Sequence, residues 1–295
     1  MARNRPLTQF WHSRAIRQMR HLASPRLWYR YLTARQRRLP EFIIAGAQKA
    51  GTTSLFGYLA GHPQCSGPVI KEVNFFDQNY SRGERWYRMH FPLGTSGGRG
   101  LQRAGSGSCC FEASPHYMFE PQVPARVRQS LPAMKAIFLL RNPVSRAYSA
   151  YQHEVRRGRL TMPFEDCIEI EIRQQAGEGP RAATGTHDQN PDGRRLSLLA
   201  RGVYVDQLRN WRAHFPAEQM LVLEAERMFQ EPREVFDAVL AFLGLDPWTP
   251  PAFGNLNPGR YQTPMSSVAR ERAMRYFAGH NERLFQFLGR RYAWG

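Results

Sequence analysis

A short apolar run, Phe42-Ile43-Ile44-Ala45, passes straight into a glycine-bracketed loop and a hydroxyl-rich helix start, and this stretch constrains the chain more than any other. Apolar residues without alternation suit a strand buried on both faces of a parallel sheet. Gly46 and Gly51 bracket Ala47-Gln48-Lys49-Ala50, where the backbone can turn tightly and approach a ligand closely. Thr52, Thr53 and Ser54 then open a segment in which Leu55, Tyr58 and Leu59 share one helical face, and His62-Pro63 closes it. Strand, loop and helix start together aim backbone N–H groups and a helix dipole at an anion. The spacing is not that of a nucleotide-triphosphate loop, in which lysine follows the second glycine: here Thr52 follows it and Lys49 comes two residues before it. The loop therefore reads as a holder of a phosphate-like group other than magnesium ATP.

Lys49 is also one of only three lysines (Lys49, Lys71, Lys135) among 41 basic residues. Where arginine serves as the default cation, a compact ammonium at a glycine loop reads as chosen, because a planar guanidinium does not replace a point charge.

The net charge of +17 is uneven, with ten arginines and no acid in residues 1–40. That arm reads first as a solvated or self-packing helical appendage, with a membrane-surface or polyanion-binding patch and an organelle transit peptide as the alternatives. Trp11, Ile16, Leu22, Leu27, Trp28 and Tyr31 lend it amphipathic character. No apolar run is long enough to span a membrane and no secretory h-region is evident, so a cytoplasmic location is expected. Cys65, Cys109, Cys110 and Cys167 show no C-x-x-C spacing, which argues against a zinc site or a disulfide framework. Hydrophobic content of 42% is ample for a core.

Further strands are expected at 109–113, 135–140 and 220–224, and helices at 121–132, 144–157, 196–215, 232–243 and 268–288. Residues 94–108 and 176–195 read as loops, the latter a candidate lid or acceptor-binding segment. The alternation predicts an α/β fold with a P-loop-like central parallel sheet flanked by helices on both faces, forming one domain over 41–295. In such a sheet ligands sit beyond the carboxyl ends of the strands. The Lys49 loop marks one such end; Arg141 marks another, with Ser145 and Ser149 on one face of the helix that follows. An arginine and a hydroxyl at a helix entrance make a second phosphate clamp, so a ligand with two separated phosphate-like groups is implied. Nothing specific to nucleic acid is read. A nucleotide-dependent kinase and a non-enzymatic polyanion binder are the rival readings. Trp86, Tyr87, Tyr117 and Trp211 are candidates for an aromatic acceptor pocket, or for the core.

Gly46-Ala-Gln-Lys-Ala-Gly-Thr-Thr53 resembles the 5′-phosphosulfate loop of sulfotransferases that use 3′-phosphoadenylyl sulfate (PAPS), and Phe138 to Ser149 resembles their 3′-phosphate motif. Lys71-Glu-Val-Asn-Phe-Phe76 and Ser114-Pro-His-Tyr117 are similar to elements of the glycosaminoglycan branch, typified by heparan sulfate O-sulfotransferases. Trp211 to Glu224 and Asn281 to Trp294 resemble the same branch. The resemblance implies the sulfotransferase fold and PAPS binding by Lys49, Ala50, Gly51, Thr52, Thr53, Ser54, Arg141, Ser149, Gly259 and Arg260. Adenosine 3′,5′-bisphosphate (PAP) is then the product, and no metal is needed. It implies that Glu72 is the base for an acceptor hydroxyl on a carbohydrate, lipid or other small molecule. An apolar setting is expected to raise the carboxylate's proton affinity, and Lys49 to stabilise charge on the leaving phosphate. His116, Glu112 and His153 are lesser candidates for the base. The chain departs from the branch at Pro258, where lysine is common, and in having no cysteine after Cys167.

Overall fold

A computed structural model of the chain describes residues 25–94, 108–177, 197–254 and 263–294. In chain order the main elements are α1 (Pro25–Leu32), β1 (Phe42–Gly46), α2 (Thr52–Gly61), β2 (Cys65–Ser66), α3 (Gly83–Arg88) and β3 (Cys109–Ala113). Next come α4 (Val123–Ser130), β4 (Lys135–Leu140), α5 (Pro143–Arg156), α6 (Phe164–Gln175) and α7 (Tyr204–His214). β5 (Met220–Glu224), α8 (Ala225–Gln230), α9 (Pro232–Leu243) and α10 (Ser267–Leu288) complete the fold.

The strands pair in parallel in the order β2-β3-β1-β4-β5. Successive strand residues point to opposite faces, and every residue of β1 and all but the first of β4 are buried. Both faces of the central strands are therefore covered, as the unbroken apolar runs require. Phe42 pairs with Phe111 across β1 and β3, and their rings stack with centroids 5.0 Å apart. One contiguous core runs from Phe42 to Tyr292. Tyr87, Tyr117 and Trp211 lie inside it at 1% exposure or less, so these three expected pocket aromatics are core residues, and only Trp86 reaches the surface.

From β1 the chain runs out to β2 and returns to β3, then crosses to β4 and β5 on the other side. The strand order thus reverses at β1, and the carboxyl ends of β1 and β4 border the crevice where an open α/β sheet takes ligands. Gly46 ends β1 opposite Phe138 of β4. A Cβ on Gly46 would lie 2.5 Å from the Cβ of Met118, so only glycine lets the two segments meet here.

Helix ends follow local chemistry. Asn142 caps α5, its Oδ1 accepting from the N–H groups of Val144 and Ser145 at 3.0 and 3.1 Å. Ser266 caps α10 through Ala269 N–H, and left-handed Gly244 and Gly289 close α9 and α10. The helix expected over 196–215 starts only at Tyr204. Gly202 packs so closely on Phe277 and Pro143 that a Cβ would come within 3.0 Å of either, and Val203 leaves helical geometry.

The end of the basic arm packs on the body. Arg30 donates to the carbonyls of Met89 and Phe91 at 2.6 and 2.7 Å, and Arg37, 4% exposed, donates to Phe91 O at 2.9 Å. His90 lies beneath, 6% exposed, edge-on to Trp86. Burial, then Arg30 and Arg82, push its pKa down to about 4. The unfolded chain takes up this proton below the ordinary value of 6.5 and the folded chain does not until about 4, so stability is lost as pH falls through that window. Replacing His90 with phenylalanine should remove roughly 3 kcal/mol of the pH-dependent difference between neutrality and pH 4. Urea midpoints of wild type and variant across that range measure it.

Candidate active site

The loop between β1 and α2 alternates backbone hands: Lys49 has φ of 71° and Gly51 of 92°, with buried Ala50 between them. Such alternation gathers backbone N–H groups into an anion-binding concavity. The first N–H groups of α2, those of Thr52 and Thr53, have no carbonyl one turn earlier to bond. A side chain at Gly51 would be strained and would meet Met228 and Phe229 of α8 at 2.6 and 2.9 Å.

Arg141 follows β4 and donates from Nη1 to the carbonyl oxygen of Lys49 at 3.1 Å. The two strand-end motifs are therefore physically joined. The Arg141 guanidinium also lies 5.9 Å from the ring centre of Phe229, and its own carbonyl accepts from the Tyr204 hydroxyl at 2.8 Å. Ser149 sits nearly two turns into α5, 5% exposed, and makes no hydrogen bond to Arg141 among the described residues. Gly259 and Arg260 lie outside the described residues, as do most of 94–108 and 176–195 and the arm before residue 25.

The electrostatics around Lys49 are one-sided. Its pKa is lowered first by burial, then by Arg156, Arg141 and Arg157, and Glu154 opposes them. Arg156 and Arg157 come from the far end of α5 and were not expected in the site; the signal was a basic pair one helix length beyond Arg141. His153, on the preceding turn, is pushed down to about 4 by burial and then by Lys49 and Arg157. It is therefore a neutral imidazole at pH 7, next to the loop. This pocket of excess positive charge suits a ligand carrying several negative charges.

The segment holding Glu72 is irregular. Glu72 and Asn74 have φ of 63° and 50°, which breaks the strand alternation that would separate Lys71 from Glu72. Both side chains thus meet on one wall, Lys71 Nζ 2.8 Å from Glu72 Oε1. Glu72 is 44% exposed and ion-paired, so the expected apolar setting is not what surrounds it. Its backbone N–H donates to Ala113 O at 3.1 Å, which fixes it at the carboxyl end of β3, beside β1.

Glu112 and its neighbours explain the Ser114-Pro-His-Tyr117 motif. The Glu112 carboxyl is wholly buried and accepts from the hydroxyls of Tyr87, Ser114 and Tyr117 at 2.5, 3.1 and 3.1 Å. Burial raises its pKa to about 7. Tyr117 Oη accepts in turn from Phe75 N–H at 2.7 Å, and Ser114 Oγ from Asn74 N–H at 3.2 Å. Glu112 is enclosed, and its observed work is to hold the Glu72 segment rather than to meet an acceptor. His116 has both ring nitrogens engaged, Nδ1 at 3.3 Å from Arg201 Nη1 and Nε2 at 3.3 Å from the Gln48 amide. Arginine only donates, so Nδ1 is the acceptor; a neutral ring then carries its proton on Nε2, which pairs with Gln48 when the amide turns its oxygen toward the ring.

Fold and site together define an α/β protein with a positively charged loop at the carboxyl edge of its parallel sheet. The chain belongs to the sulfotransferase family: residues 39–251 match the model of the sulfotransferase domain. It is 31% identical over 218 residues to human bifunctional heparan sulfate N-deacetylase/N-sulfotransferase 3, covering 71% of this chain and 23% of that protein. It is 30% identical over 284 residues to the Xenopus laevis bifunctional heparan sulfate N-deacetylase/N-sulfotransferase 1, covering 85% and 30%. The chain thus spans less than a third of the length of these curated relatives. The solved structure of a sulfotransferase from Alicyclobacillus acidocaldarius superposes with a TM-score of 0.68 at 27% identity, over 87% of this chain and 99% of that one. The kinase and polyanion-binder readings are not favoured by these matches.

Replacing Tyr117 with phenylalanine should cost roughly 1–3 kcal/mol, because the Phe75 N–H and the Glu112 carboxyl each lose a buried partner. Urea unfolding measures the loss, and faster amide hydrogen exchange at Asn74–Phe76 should locate it.

Proposed function

We propose that this chain transfers the sulfuryl group of PAPS to a nucleophile on an acceptor saccharide. The observation that carries the reading is the excess positive charge around Lys49, set against a helix start and joined to Arg141. The donor brings a sulfuryl group already bonded to a phosphate leaving group. Lys49, Ala50, Gly51, Thr52, Thr53 and Ser54 hold its 5′ end; Arg141 and Ser149 hold the 3′-phosphate, and Gly259 and Arg260 join them by the family resemblance.

Each residue then has a task. The acceptor atom bonds to sulfur as the sulfur–phosphate oxygen bond breaks. Lys49 stabilises the charge that the departing phosphate gains. Glu72 takes the acceptor's proton, and Lys71 orients that carboxylate. Neutral His153 is available to hydrogen-bond a phosphate or sulfate oxygen. The sequence reading of O-transfer and the N-transfer in the relatives' names differ in the atom attacked, not in these tasks. A saccharide acceptor is supported by those same names.

Calorimetry with PAP, with and without magnesium, tests donor binding. Equal, tight binding in both is expected; a preference for magnesium ATP overturns the reading. Lys49→Ala should cost turnover on the order of 2.7–4 kcal/mol, whereas Arg141→Ala should chiefly weaken PAP binding. Glu72→Gln should lower kcat by roughly 10²–10⁴-fold with PAP affinity nearly unchanged. Radiolabelled transfer to a glucosamine oligosaccharide, compared with its N-acetylated form, decides between oxygen and nitrogen. Loss of labelling on acetylation identifies the amine.

A further inference from the structure

α1 is an unusual surface helix. Trp28, Tyr29, Tyr31 and Leu32 are 56, 55, 36 and 66% exposed, although nothing in the chemistry above uses them. They are not on a loose tail. Arg30 of the same helix reaches inward to Met89 and Phe91, and Arg37 donates to the Arg30 carbonyl at 3.1 Å. Arg85 donates to Tyr31 O at 3.1 Å and lies over its ring at 4.3 Å, while Trp28 meets Tyr31 edge-on at 6.4 Å. The fold therefore holds a small aromatic and aliphatic face toward solvent in a set geometry.

The charge around that face is of one sign. Arg26, Arg35, Arg82 and Arg85 are exposed beside it. The nearby acids are already paired: Glu84 with Arg88 at 2.5 Å, and Glu41 with Arg38 at 2.6 Å. Amphipathic rings prefer the headgroup level of a bilayer, leucine prefers the acyl boundary just beneath it, and arginines pair with anionic headgroups. We propose that the exposed aromatic face of α1, ringed by arginines, docks this protein onto an anionic lipid surface. A sulfated glycan or nucleic acid would meet the arginines and leave Leu32 and Trp28 in water. A second copy of the chain, at +17, would bring like charge against like charge. The lipid surface is the occupant that satisfies both halves of the patch.

Flotation of the full chain with vesicles tests the proposal, using phosphatidylcholine alone or with about 30% phosphatidylglycerol at about 0.15 M salt. Binding only to the anionic vesicles is expected. The double substitution Trp28→Ser, Leu32→Ser keeps every charge and should lower vesicle partitioning roughly tenfold or more. Its thermal midpoint and PAP binding should match wild type, since neither side chain belongs to the core or the transfer site. Partitioning equal to wild type would show that arginines alone bind lipid and would overturn the proposal. So would wild-type binding to heparin fragments with none to vesicles, or a dimer in sedimentation equilibrium that the substitution dissociates.

Discussion

Like charge held in one place organises this molecule. Lys49 is half-buried, and the charges of Arg156, Arg141 and Arg157 act on it with Glu154 opposing them, so burial and like charge both lower its proton affinity. The fold sustains this because two strands end side by side and α5 carries arginines at both ends. A polyanion bound there would relieve that repulsion.

A second device keeps the acceptor side in place. Glu112 gathers three hydroxyls in the core, and two of them reach on to the backbone at Asn74 and Phe75. Glu72 can therefore hold a left-handed conformation, a costly one for a residue with a side chain. Rigid support beneath and exposure above suit the base role proposed for Glu72.

Much of this was legible in the sequence, for identifiable reasons. Strands buried on both faces are unbroken apolar runs, so β1, β3, β4 and β5 stand out with little error at their ends. The Lys49 loop was legible because glycine positions and a scarce lysine mark it. By contrast, α6 escaped notice because Glu171, which faces the core, looks like a solvent residue. Its carboxylate is satisfied by the N–H groups of Leu199 and Ala200, a long-range contact with no local signature. The Lys71–Glu72 wall was hidden too, since left-handed backbone at a glutamate has no compositional sign. Arg156 and Arg157 read as an ordinary solvated helix end, and exposed they are, but their charge reaches Lys49, a long-range effect with no local sign.

The lysine count carries a consequence of its own. Lys135 is tied to the Phe242 carbonyl at 2.6 Å with its ammonium 5.1 Å from that ring's centre, and Lys71 is paired with Glu72. Lys49 is left as the amine whose burial and arginine neighbours favour the unprotonated, nucleophilic form. A protein that makes nearly all its cations arginine has largely withdrawn from acylation, glycation and every other chemistry of primary amines. One of the few amines it retains stands in the loop proposed to hold the donor, so on that reading aldehydes and acyl donors that reach it would act as inhibitors rather than as scattered surface damage.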